Sequence, residues 1–134
     1  MAGTTSTART ARVLVDIMSS ILECLNFTIE IGEDFADMKL PTLDVKIWIR
    51  NGIIEYEFYE KPMSANVVIH ARTALSEQTK FSSLTQEVVR RLLHTSRRLD
   101  KSRWMESLEA LSQKMINSDH RPTYIKKVMV AGWL

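Results

Sequence analysis

The chain holds one cysteine, four glycines and three prolines, and none of its apolar runs approaches the roughly 18 residues that cross a membrane. With Cys24 alone no internal disulfide can form, which points to a reducing compartment, nuclear or cytoplasmic. The opening residues MAGTTSTA are small and polar without an apolar signal core, so the sequence predicts an intracellular protein with a flexible leader over 1–10. Glycine is too sparse for a phosphate-cradling loop, no Gly-X-Ser-X-Gly turn occurs, and no two aspartates are adjacent. His70, His94 and His120 are too scattered to read as metal ligands, and Asp34, Asp37 and Asp44 read as an acidic turn. Cys24 reads as a small core residue. By motif there is no enzyme here, no metal site and no cofactor.

What is present is a chain of 134 residues, 45% apolar and 25% charged, enough for one ordinary core or two small lobes. The net charge of +2 is unevenly placed: six basic against ten acidic residues up to Val67, then twelve basic against six acidic. That asymmetry suggests an anionic partner for the C-terminal half.

The chain is organised around LPTLDVKIWIRNGIIEYEFYEKP, from Leu40 to Pro62. Leu43, Val45, Ile47 and Ile49 alternate with Asp44, Lys46 and Trp48, and Ile54, Tyr56 and Phe58 alternate with Glu55 and Glu57. This period of two predicts strands with one buried face, and Asn51-Gly52 supplies a type I′ turn between them. Pro41 suits the entry to the first strand. Before the hairpin, Leu14, Ile17, Met18, Ile21, Leu22 and Leu25 predict a helix over about 8–26, and FTIEI a short strand over 27–31. After it, Ser83-Leu84-Thr85-Gln86 reads as a capping box opening a helix that runs to about Lys101. Trp104, Leu108, Leu111 and Met115 predict a helix from Ser102 to Ser118, and Pro122 opens a last one carrying Tyr124, Ile125, Val128 and Met129.

On a wheel of residues 84–101, Leu84, Val88, Val89, Leu92, Leu93 and Leu99 take one side. Arg90, Arg91, His94, Arg97, Arg98 and Lys101 take the other, and Arg103 follows. An apolar stripe backed by a cationic one suits a helix lying along a phosphate backbone, although a solvated surface face has the same composition. Trp48 and Tyr56 could expose rings for stacking or pack beneath a helix.

The order of these parts, with Leu43-Asp44, Asn51-Gly52 and Tyr59-Glu60-Lys61-Pro62, resembles the end of the palm and the thumb of a retroelement reverse transcriptase of the Penelope-like kind. The resemblance covers about Arg12 to Trp133. It implies an α+β fold in which an N-terminal helix packs on a small antiparallel sheet with a central hairpin, followed by a three-helix thumb-like segment. The divisions would be 11–70 for the end of the palm and 71–134 for the thumb. In that family the hairpin grips the primer, which implies such a role for Trp48, Asn51, Gly52, Tyr56, Tyr59 and Lys61. The cationic residues 90–103 would track the backbone of an RNA–DNA or RNA duplex. A full-length relative would use Mg2+ held by an Asp-Asp strand that this sequence lacks, so the resemblance implies a truncated protein inactive in polymerisation by itself. The alternative is an interaction or assembly module, pairing with the missing palm and fingers or with itself, through the apolar face of the first helix. Neither reading involves a membrane.

Overall fold

The computed structural model describes residues 2–134, with side chains from Thr7 onward; Met1 lies outside the described residues. The protein is α+β, a three-stranded antiparallel sheet with four α-helices. It divides into two compact units, Met1–Leu40 and Pro41–Leu134. The resemblance implies a division at residue 70; by compactness the hairpin and the helices that follow it share one unit.

The first unit contains α1, Ala2–Ile21, and a 3-10 turn at Gly32–Asp34. The helix begins well before Ala8, so residues 2–8 are helical where a frayed leader was expected. It also stops five residues short of Asn26, with Leu25 N–H turning back to the Leu22 carbonyl. Cys24 therefore sits in a turn and is exposed, not in the core. Residues 27–31 form no strand; Phe27 N–H is taken by the Ser19 hydroxyl at 3.2 Å instead of a ladder partner. Arg12 and Asp34 form an ion pair between helix and turn.

From Leu40 onward the chain forms β1 (Leu40–Thr42), β2 (Val45–Arg50) and β3 (Ile53–Phe58) in the order β1-β2-β3. Pro41 does stand in the first strand. Leu43, at φ 53, then turns the chain, so the expected single strand is two. Asn51 and Gly52, at φ 51 and 75, form the positive-φ pair that a type I′ turn requires. The register sets Ile47 against Tyr56 and Ile49 against Ile54. The face is only partly the buried one that alternation predicts: Ile49 and Ile54 at the tip are 74% and 65% exposed, Leu43 is 87% exposed, and Glu55 is buried. Tyr59 N–H donates to the Asp44 carbonyl, which fixes the hydrogen-bonded pairs of the ladder. The main-chain groups of Tyr56 and Phe58 are thereby left facing outward. The loop after the next helix takes both: Ser96 N–H donates to the Tyr56 carbonyl at 2.8 Å, and Phe58 N–H donates to Thr95 Oγ1 at 3.3 Å. The open edge of β3 is closed in this way.

Three helices complete the unit: α2 (Glu77–Leu93), α3 (Lys101–Asn117) and α4 (Pro122–Trp133). α2 starts at Ser76, whose hydroxyl accepts from Thr79 N–H, so Ser83 is an interior residue and the capping box there is not used. α3 is capped at Asp100, with Ser102 inside the helix. α4 opens on Pro122 as its sequence implied. Leu84, Val88, Leu111, Met115, Ile125 and Val128 form the core, one stripe from each helix. α2 and α4 approach closely at Gly132, where an added Cβ would stand 2.5 Å from Val88 Cβ.

Candidate functional site

The cationic face does not survive as one surface. α2 ends at Leu93, with His94 as its C-cap, because Thr95 and Ser96 turn away to meet β3. The side chains expected on one helix therefore fall into three settings.

Arg91 belongs to the interior of the second unit, and Arg90 lies part-exposed beside it, its side chain 38% exposed. Arg91 is 2% exposed; its guanidinium bonds Glu87 at 3.0 Å, the Ser107 carbonyl at 3.0 Å and Glu60 at 3.4 Å. Arg90 bonds Glu87 at 2.8 Å and also Asp44. Both guanidiniums lie over the Phe58 ring, at 5.1 and 4.4 Å from its centroid. The hydrogen bonds that Arg90 donates to Glu87 and Asp44, with the charges of those two carboxylates, push the Arg90 pKa up against its burial. Burial alone would raise the Glu87 carboxyl, but bonds and charges from Arg90 and Arg91 bring it below the ordinary value. These two arginines tie the hairpin to α2 and have little left to offer a phosphate. His94 is half-buried, its Nδ1 without a hydrogen bond and 3.9 Å from an Asp44 oxygen.

Arg97 and Arg98 lie in the α2–α3 turn, and Lys101 opens α3; all three are exposed and have no side-chain partner among the described residues. Arg103 follows in the same first turn, held loosely by Glu57 at 3.8 Å and Glu106 at 3.9 Å. The first turn of α3 holds no acid, but the exposed N-cap Asp100, which accepts from the Ser102 hydroxyl at 3.2 Å, sets one carboxylate at this end, where the helix dipole favours anions. The corner thus gathers four cations within seven residues at the positive end of a 17-residue helix.

The hairpin residues divide as well. Asn51 and Gly52 form the exposed tip, and Tyr56 is 37% exposed. Trp48 donates its indole N–H to Glu55 at 3.0 Å, so its ring packs along the sheet. Tyr59 and Lys61 line a cavity of about 390 Å³ together with Leu43, Asp44, Phe58 and Arg90. Leu43-Asp44 and Tyr59-Glu60-Lys61, far apart in sequence, meet there.

Glu60 is the residue the sequence reading passed over. It accepts from Lys114 and Ser64 and faces Arg91, joining the end of β3 to both α2 and α3. The only sequence signal was its place in the Tyr-Glu-Lys-Pro run. Among the described residues no group of three His, Cys, Asp or Glu could hold a metal ion, and no helix is long and apolar enough to cross a membrane. No family model matches the chain, and comparisons with curated proteins and solved structures returned no match. The resemblance to a reverse transcriptase accordingly rests on the residues quoted for it and on no relative.

Proposed function

We propose that the protein binds the phosphate backbone of a structured nucleic acid through the α2–α3 corner, as a reverse-transcriptase-like thumb without polymerase chemistry of its own. The observation that carries the reading is the set Arg97, Arg98 and Lys101: exposed, unpaired, and placed where a helix start adds its own positive end. Arg103 adds to the set, its carboxylate contacts being long enough to yield to a phosphate. Contacts of this kind fix position without reading sequence. Leu43-Asp44 and Tyr59-Glu60-Lys61 share one cavity because the hairpin register sets residue 44 opposite residue 59.

The test is fluorescence anisotropy of a labelled RNA–DNA hybrid across a salt series. If Arg97, Arg98 and Lys101 each neutralise one phosphate, log K against log salt has a slope of about −2.7, at roughly −0.9 per duplex phosphate. Changing Arg97, Arg98 and Lys101 together to Glu abolishes binding while the circular dichroism spectrum is kept. Unchanged affinity in that folded variant would remove the corner from consideration.

A second reading has its own observation. In the first unit Leu14, Ile17 and Ile21 are 56%, 53% and 70% exposed along α1, and Leu22, just past its end, is 47% exposed. An apolar stripe so open favours association with a partner or with a second copy. Light scattering after size exclusion decides: a monomer at every concentration argues against self-association.

A further inference from the structure

A second, separate concentration of donors lies where the chain enters α2 and where α4 begins. A cavity of about 700 Å³ opens there, with Arg72, Lys80 and Arg121 in its walls against Glu77 and Asp119. The carboxylates are already engaged. Glu77 pairs with Lys80 at 3.0 Å, and Asp119 with Arg72 at 3.0 Å and His70 at 3.1 Å.

The donors are not all engaged. Lys80 is 4% exposed, so its ammonium depends on acceptors inside the fold. It donates to the Ala71 carbonyl at 2.8 Å and to Glu77. An ammonium has three donors, and the third N–H has no acceptor among the described residues. A buried charge with an unfilled donor is an expensive arrangement unless something completes it. Tyr124 belongs to the same lining, and its hydroxyl is buried and bonds nothing among the described residues. Arg121 is exposed and unpaired, and as N-cap of α4 its side chain cannot accept from the first turn. With Pro122 first in the helix, the amides of Thr123 and Tyr124 are left without an intrahelical acceptor.

We propose that this cavity is a binding site for a phosphate group, either inorganic phosphate or the phosphate monoester of a nucleotide. Lys80, Arg121 and the amides that open α4 hold its oxygens, with the Tyr124 hydroxyl as a further donor. A phosphate brings several acceptor oxygens and up to two charges to a lining whose carboxylates are occupied and whose cations exceed them by one. The remaining volume admits a nucleoside. This site uses none of the residues of the α2–α3 corner and does not depend on that reading.

The experiment is an amide-resonance titration of the full chain, near neutral pH and at low salt, with inorganic phosphate and then adenosine 5′-monophosphate. Saturable shifts of Ala71, Lys80, Thr123 and Tyr124 are expected, with a dissociation constant at or below about 1 mM for the better probe. Tighter binding of the monophosphate assigns the ester as ligand; equal affinities assign free phosphate. Arg121→Glu, at an exposed unpaired position, keeps the fold and weakens binding at least about tenfold. Tyr124→Phe removes a hydroxyl that bonds nothing in the free protein, so it keeps the melting temperature and loses affinity. Arg97→Glu with Arg98→Glu leaves this titration unchanged, whatever it does to nucleic-acid binding. Absence of saturable shifts with both probes, or full affinity in folded Arg121→Glu, overturns the proposal.

Discussion

Glu60→Gln keeps the shape of the side chain and removes its charge from the junction of β3 with α2 and α3. Burial pushes the Glu60 carboxyl up, but hydrogen bonds from Lys114 and Ser64 and the charges of Arg91 and Lys114 outweigh it, leaving the group below its ordinary value. The Lys114 side chain is 10% exposed and has no other carboxylate partner among the described residues. Arg91, 2% exposed, keeps Glu87. The variant thus strands one buried ammonium. Stranding a fully buried charge costs ~3–5 kcal/mol. Glu60 itself is 30% exposed, so solvent screening and the retained amide oxygen reduce the expectation to about 2 kcal/mol. At roughly 4–8 °C per kcal/mol for a domain of this size, the melting temperature falls by about 8–16 °C. Thermal melts followed by circular dichroism give the number. A companion variant, Glu60→Leu with Lys114→Met, removes both charges and recovers most of the loss. A single-variant loss below about 0.5 kcal/mol, or a companion no better than the single, would refute the argument that the pair is held against its desolvation.

Other outcomes follow from the same structure. Gly132→Ala places a Cβ 2.5 Å from Val88 Cβ and Cγ1 and 3.2 Å from the Thr85 carbonyl, so helices α2 and α4 must part. The expected cost is about 1–3 kcal/mol in a urea melt, and Val88→Ala in the same chain relieves only the Cγ1 part of it, because alanine keeps the Cβ that stands 2.5 Å away. Gly52→Ala meets nothing within 4 Å, so only its φ of +75° is strained, and the loss is limited to about 1–2 kcal/mol without a change in the core. Acid titration gives a sign. Glu60 and Glu87 both have folded pKa values below the ordinary 4.5, so their stabilisation is present above 4.5 and is lost as pH falls through the lowered values. Glu60→Gln flattens that acid limb; an unaltered limb would show that Glu60 carries no linked proton.

The parts of the fold that the sequence revealed are those in which one face of one element meets the core. Leu108, Leu111 and Met115 on α3, and Ile125 and Val128 on α4, repeat at helical spacing and do pack inward. The Asn51-Gly52 turn was legible because few residue pairs tolerate two positive φ values in succession. The start of α2 was hidden because SEQTKFSS is polar except for Phe81, and its faint periodicity gave way to a second Ser-led pattern seven residues on. Leu93 was counted with the core stripe yet is 65% exposed, since the helix ends there and the chain departs toward β3. The sheet inverted a simpler expectation: alternation says which residues share a face, but not whether a helix covers that face as far as the tip. Ile49 and Ile54 lie together as the register requires, and the cover stops short of them.

The candidate site moved for a reason that no helical wheel contains. A wheel compares residues within one helix, and by that measure only Glu87 stood near the arginines. The acids that complete the neutralisation of Arg90 and Arg91 are Asp44 and Glu60, 46 and 31 residues upstream. Planar guanidiniums suit that task, bonding carboxylates in plane while stacking on Phe58. Arginine density alone therefore overstates a binding face, because the residue type favoured at phosphates is also the one favoured at buried ion pairs. What separates the two uses is the charge left after pairing. By that measure Arg91 contributes nothing outward, Arg103 contributes in part, and Arg97, Arg98 and Lys101 contribute in full. The same accounting, applied at α4, is what draws attention to Lys80 and Arg121: one is buried with a donor to spare, the other unpaired at a helix start.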